Sequence, residues 1–179
     1  MLVANTPVYQ GKRVLIVTGE RAQESPNRSR YKTFEPDRSH AMKRHVDHYR
    51  PVHGWTEADV WEIIRRHGIL PHPSYRLGWS RLSCMTCIFG SPNLWATVRA
   101  MAPERFERIA AYERQFGRTI HRKKSVGELA DSGKPYAAAF GNPELFAEAM
   151  DPAWHGEVRV SVADWKMPAG AFGEVAGPT

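Results

Sequence analysis

Two groups of residues have the types and spacing to do chemistry: the arginines of Gly19-Glu20-Arg21-Ala22-Gln23-Glu24-Ser25-Pro26-Asn27-Arg28, and the pair Cys84-x-x-Cys87. Arg21 and Arg28 offer two planar guanidiniums suited to gripping a phosphate or sulfate. Ser25 adds a hydroxyl, and Gly19 permits close approach of the backbone. The bland arrangement of the same residues is an Arg21–Glu24 ion pair that only ties the turn down, and such surface pairs are individually weak. The C-x-x-C spacing places two thiolates where they could occupy one edge of a tetrahedral metal or an iron–sulfur cluster, for which four ligands are normally required. A dithiol/disulfide switch, or inert thiols under the following helix, are the alternatives. Two cysteines cannot staple a secreted scaffold.

Weaker signals lie elsewhere. His40, His45, His48 and His53 form a loose set in which only His45 and His48 have helical i,i+3 spacing, so solvated histidines are expected rather than a zinc site. Of the six tryptophans, Trp61 and Trp95 sit on apolar stripes and are read as core. Arg118, His121, Arg122, Lys123 and Lys124 make the best nucleic-acid footprint, although such a run is usually a solvated face.

These residues need a scaffold. The chain has 179 residues, 42% hydrophobic and 25% charged, with a net charge of +6. That is globular composition, and it rules out collagen-like, disordered and membrane-spanning classes; no secretory leader is evident, so a cytoplasmic chain is expected. Through Lys124 there are 22 Lys+Arg against 11 Asp+Glu, and from Ser125 onward 3 against 8, so the larger part of the chain should attract anions.

Arg13–Thr18 is apolar nearly throughout and reads as a parallel strand buried on both faces, ending at Gly19. Ligands of open α/β sheets bind beyond the carboxyl ends of strands, which is where Arg21 and Arg28 fall. Residues 21–50 are polar, with a short helix expected over 39–48. Thr56 and Asp59 form a capping box for a helix ended by Gly68, and Pro71-His72-Pro73 predicts an extended turn. Helices are expected from Ser91-Pro92, from Pro103 to Gly117, from Ser125/Glu128 and from Asn142-Pro143. A weak edge strand follows over 156–165, then a frayed tail beyond Pro168. Few strands accompany these helices. The sheet is therefore expected to be short of strands unless a further segment completes it.

The strand with Gly19-Glu20-Arg21 and Glu24-Ser25, then Arg50-Pro51-Val52, Trp55-Thr56 and Val60-Trp61, then Pro71-His72-Pro73-Ser74-Tyr75 with Gly78, then Ser83-Cys84 and Cys87-Ile88, together resemble the phosphoadenosine phosphosulfate reductase-like family of the adenine nucleotide α-hydrolase (PP-loop ATPase) superfamily. The resemblance implies an α/β fold: a partial Rossmann-like, adenine nucleotide α-hydrolase-like parallel sheet with a helix-rich C-terminal part. It would divide the chain into residues 1–136, the C-terminal portion of such a domain, and 137–179, a helix, an edge strand and an acidic tail.

The family further implies a nucleotide- and anion-binding site at Gly19, Arg21, Glu24, Ser25 and Arg28, with His72 and Tyr75 in the cleft wall. The implied ligand is an adenine nucleotide, either ATP or a sulfonucleotide. Cys84 and Cys87 would be half of a metal site, completed to a [4Fe–4S] cluster by cysteines from elsewhere. Family members carry a Ser-Gly-Gly-x-Asp-Ser phosphate loop before this strand, and reductases a cysteine near the C-terminus. Neither is in this sequence. The expectation is a chain inactive alone, completed by an N-terminal half or second subunit, and closer to members that split ATP for sulfur transfer than to those that reduce. The rival reading is a nucleic-acid-associated basic module with a decayed nucleotide site.

Overall fold

The computed structural model describes residues 6–173. The chain divides into two compact units, the first ending at Val60 and the second beginning at Trp61. Each is described by itself.

The first unit is built on three strands: β1 (Arg13–Val17), β2 (Phe34–Pro36) and β3 (His45–Tyr49). β1 pairs in parallel with β3 from Arg13↔His45 to Val17↔Tyr49, and β2 runs antiparallel on the other side of β3, giving the order β1-β3-β2. The sheet is thus mixed rather than purely parallel, within the expected α/β class. The helix expected over 39–48 is not there. Val46 is fully buried between partly buried His45 and Asp47, and a parallel partner outweighs a local preference for helix.

The expectation that β1 is buried on both faces also fails. Val14 and Ile16 face inward, but Leu15 and Val17 are 54% and 57% exposed. Covering both faces of a parallel pair takes helical crossovers. The link from β1 to β3 instead makes the 3-10 turns Ala22–Glu24 and Arg28–Arg30 and then β2. Leu15, Val17, Tyr49 and Phe34 therefore share an exposed apolar sheet face, with Phe34 and Tyr49 rings 6.3 Å apart.

Helix α1 (Glu57–Arg66) spans the division between the units. Its capping box forms as expected: Thr56 N donates to Asp59 Oδ2 at 2.8 Å, and Asp59 N to Thr56 Oγ1 at 3.2 Å. Gly68 ends it at φ 59°, where a Cβ would collide with the Val160 carbonyl.

The second unit holds α2 (Pro73–Arg76), α3 (Pro92–Met101), α4 (Pro103–Phe116), α5 (Val126–Asp131), α6 (Ala137–Phe140) and α7 (Pro143–Met150). Pro71-His72-Pro73 starts a helical turn rather than a wholly extended segment. Proline bars helix only in the residue before it, so His72 is extended at ψ 142° while Pro73 sits at the first helical position. Ser91 and Ser125 cap α3 and α5, and Ser125 with Glu128 closes a full capping box. Leu77, Trp95, Val98 and Val126 are at most 1% exposed, and the Trp95 and Phe106 rings meet edge to face at 6.3 Å.

Residues 156–165 do not form the expected strand. They make one bridge, Ile69↔Arg159, flanked by Leu70 N to Val158 O at 3.0 Å and Val160 N to Gly68 O at 2.8 Å. The turn at Gly68 offers that segment a single pairing position. The chain past Pro168 is tied down as far as Gly173: Gly170 is buried and its N–H donates to Tyr75 O at 2.8 Å. The rest of the expected tail, 174–179, lies outside the described residues. Among those residues no helix is long and apolar enough to cross a membrane.

Replacing Leu77 by Ala should cost about 2–5 kcal/mol through lost burial and a cavity, read as a lower urea midpoint by tryptophan fluorescence. Phe116→Ala, at a 66% exposed position, should shift that midpoint by no more than about 0.5 kcal/mol.

Candidate functional site

The turn after β1 is held by bonds to His53 and by the Ser25 hydroxyl. Ala22 N donates to His53 O at 2.8 Å, His53 Nε2 meets Arg28 O at 2.9 Å, and Ser25 Oγ accepts from Arg28 N at 3.2 Å. Gly19 is exposed, with open space where a Cβ would stand. Both arginines converge on one carboxylate: Arg21 Nε lies 3.5 Å from Glu24 Oε1, and Arg28 Nη1 lies 2.8 Å from Glu24 Oε2. Arg21 Nη1 also donates to Gln23 Oε1 at 3.2 Å, and that oxygen accepts Glu57 N at 2.7 Å. Arg21, Glu24, Ser25 and Arg28 are therefore gathered in one place, and the Arg21–Glu24 pair expected of a purely structural turn is present with Arg28 added to it.

Beside this turn lies a network that sequence reasoning missed. Arg50 is 5% exposed. Its Nε donates to Glu20 Oε2 at 2.6 Å and its Nη1 to Glu35 Oε1 at 2.7 Å and Lys32 O at 2.9 Å, while the guanidinium stands 4.7 Å from the Tyr31 ring centre. His48, expected to be solvated, is half-buried in the same network: Nε2 lies 2.8 Å from Thr18 Oγ1, Nδ1 lies 3.1 Å from Arg50 Nη2, and Nδ1 is 3.4 Å from Asp37 Oδ2. These groups line a cleft of about 600 Å³ over the sheet face that carries Ile16, His48 and Glu35. Three carboxylates, Glu20, Glu35 and Asp37, face two guanidiniums, Arg38 and Arg50, so this cleft is not an oxyanion site by charge. The signal was the alternation of β3, which places His48 on the same face as buried Val46.

The second unit carries the other expected residues. His72 caps α2, its ring accepting from Ser74 N at 3.2 Å and meeting the Trp154 ring edge-on at 5.3 Å. Tyr75 packs edge-on against Trp61 at 5.5 Å. Both rings thus have structural tasks, and His72 also lines a cavity of about 300 Å³. Cys84 is exposed and Cys87 partly buried, both as free thiols. Among the described residues no three His, Cys, Asp or Glu side chains gather to hold a metal ion. Two thiolates fill half of a four-ligand centre, so the donors on this chain do not by themselves fit a [4Fe–4S] cluster.

The hydrogen bond from Arg50 holds the Glu20 carboxyl below its ordinary pKa of 4.5, against the opposing effect of burial. Burial pushes Asp37 up, but hydrogen bonds from the Ser39 hydroxyl and N–H and the nearby His48 and Arg38 charges hold it below 3.8 overall. Depressed carboxyl pKa values stabilise the fold above the unfolded values, and that contribution fades as pH falls through the folded ones. Glu20→Gln should therefore lower the denaturation midpoint at pH 7, and the gap from the parent should close as pH falls below about 4.5. A gap independent of pH would contradict the Glu20–Arg50 assignment.

Residues 5–89, covering the described first unit and the second as far as Phe89, match the phosphoadenosine phosphosulfate reductase domain family. An uncharacterized 37.8 kDa protein of Escherichia phage 186 is 42% identical over 101 residues, 56% of this chain and 30% of the relative. Adenosine 5'-phosphosulfate reductases of Burkholderia cepacia and Neisseria meningitidis are each 31% identical over 71 residues, 40% of this chain and 27% and 28% of the relatives. The chain spans less than a third of the length of these curated relatives. No solved structure matches it significantly. Over residues 5–89, with the arginine turn, the three-stranded sheet and the Cys84/Cys87 pair inside that span, this chain is similar to the phosphoadenosine phosphosulfate reductase domain family.

Proposed function

We propose that the chain binds an adenine nucleotide, ATP or a sulfonucleotide, by its phosphate or sulfate group, in sulfur-transfer or reduction chemistry. The observation that carries this is the convergence of Arg21 and Arg28 on the single carboxylate of Glu24. Two guanidiniums close enough to share one carboxylate are close enough to share one tetrahedral oxyanion. Exposed pairs contribute about 0–1 kcal/mol, so Glu24 is an exchangeable stand-in that a phosphate or sulfate displaces at small cost. Gly19, with open space beside it, leaves the turn accessible. The reductases similar to this chain are named for adenosine 5'-phosphosulfate, the ligand class that the turn suits.

Catalysis on this reading needs a further polypeptide segment. The exposed sheet face of Leu15, Val17, Tyr49 and Phe34 supports an additional layer there. Cys84 and Cys87 would supply two thiolates to a cluster whose remaining ligands come from that segment. The arginines bind and orient the anion. The nucleic-acid reading has no comparable support, because the large polar cleft is lined by three carboxylates.

Isothermal titration with ATP and with adenosine 5'-phosphosulfate tests the reading. Arg21→Ala and Arg28→Ala should each weaken binding by about 1.5–3 kcal/mol, the loss of a charge-assisted hydrogen bond. Glu24→Gln should strengthen it, since the competing carboxylate is removed. Unchanged affinity in both arginine variants would exclude the site.

A further inference from the structure

The second unit contains a cavity that neither the arginine turn nor the thiols account for. It encloses about 300 Å³, at the lower end of the volumes that hold small molecules. One side is apolar: Leu77 and Trp79 are buried and Phe146 and Met150 complete the surface, with the Trp79 and Phe146 ring centres 6.5 Å apart. The other side is polar. Arg81 and Arg105 line it from separate segments, with Asp151 as the opposing charge, leaving a net positive rim.

The walls are fixed before any ligand arrives. Trp154 Nε1 donates to Glu148 Oε1 at 2.7 Å and the Trp154 ring meets His72 edge-on, holding the segment after α7 against the cap of α2. His72 in turn is engaged by Ser74, its ring Nδ1 lying 3.1 Å from the Ser74 hydroxyl oxygen. The Asp151 carboxylate already accepts Ala153 N at 2.8 Å, whereas Arg105, in the first turn of α4, makes no side-chain hydrogen bond or ion pair among the described residues. Its charge is available.

We infer that this cavity is a binding site for a small amphipathic organic anion, an aromatic or branched carboxylate whose apolar body lies on Trp79, Leu77 and Phe146 and whose head group meets Arg105 and Arg81. Shape and charge carry the assignment together. An apolar floor alone would take a neutral ligand, and a pair of guanidiniums alone would take inorganic phosphate. An apolar pocket with arginines on its rim, Arg105 having no side-chain partner among the described residues, selects molecules that have both parts.

The probe is 2-naphthoate, titrated into the full chain by isothermal calorimetry, with 2-naphthamide as the uncharged isostere and inorganic phosphate as the charge without the ring. The expected result is saturable 2-naphthoate binding at one site per chain, at least tenfold tighter than either comparison compound. Arg105→Gln, an exposed substitution that should leave the fold intact, should weaken 2-naphthoate roughly tenfold, as expected for one lost charge-assisted hydrogen bond, and leave 2-naphthamide unchanged. Ala149→Phe, which fills the cavity, should abolish binding of both. Equal affinity for the acid and the amide, or an Arg105→Gln variant with parental 2-naphthoate affinity, would overturn the proposal. So would displacement of 2-naphthoate by ATP, because the cavity would then belong to the nucleotide site. Arg21→Ala and Arg28→Ala should leave 2-naphthoate binding unaltered, so failure of the nucleotide reading and failure of this one are separable.

Discussion

A guanidinium taken out of water must be matched group for group, and Arg50 imposes that requirement on the whole first unit. At 5% exposure it is satisfied by Glu20 just past β1, by Glu35 in β2, by the Lys32 carbonyl between them and by the Tyr31 ring. Burial works against its charge, yet hydrogen bonds and charge attraction from its two carboxylate partners raise its pKa above that of an ordinary arginine. Removing one partner of a buried pair leaves an uncompensated charge and costs about 3–5 kcal/mol, far more than any surface pair here. The consequence is positional. Glu20 immediately precedes Arg21, so the bond that satisfies Arg50 also fixes where the arginine turn leaves the sheet.

Two kinds of ion pair therefore stand side by side with opposite roles. The Arg50 pairs share one guanidinium that is only 7% exposed, although Glu20 and Glu35 are about as exposed as Glu24, and they belong to a network that joins three strands and their connections. The Glu24 pairs join side chains that are 17%, 29% and 44% exposed, where water competes for every contact. A ligand oxyanion could replace Glu24 with little loss to the fold, whereas losing Glu20 or Glu35 leaves the buried Arg50 charge short of a partner. Rigid support behind an exchangeable contact is the arrangement expected of a binding loop carried on a scaffold.

How much of this could be read from residues alone follows the same division. Capping signals at Thr56, Ser91 and Ser125 are local, since the side chain and the amide it satisfies lie within three residues, and they marked helix starts correctly. The approach of Arg21 to Glu24 is equally local. His45–Tyr49 was misread because its strand character comes from β1, about thirty residues earlier, and with it went Arg50 and His48 as network members. His72-Pro73 departs from its expected extended turn for a different reason: a proline disfavours helix in the residue before it but suits the first position of the helix it begins. The cavity at Trp79 joins segments some seventy residues apart, and no spacing rule reaches that far.

What remains is the exposed side of the sheet. A three-stranded sheet needs an apolar face packed against something to be stable by itself. Here the inward face is occupied by Val46 and the Arg50 network, while Leu15, Val17, Phe34 and Tyr49 meet solvent. Single exposed apolar side chains are ordinary, but four on one face of adjacent strands form a continuous patch, the kind of surface that marks an interaction site. β1 is also an edge strand with its outer backbone groups unpaired in this sheet, next to that same patch. A covering layer would therefore bury the patch and extend the hydrogen-bonded ladder in one step. It would also exclude water from the strand end that leads to Arg21 and Arg28. Lower local dielectric strengthens a guanidinium's hold on an oxyanion, so a layer over this face would also strengthen the anion binding proposed for Arg21 and Arg28.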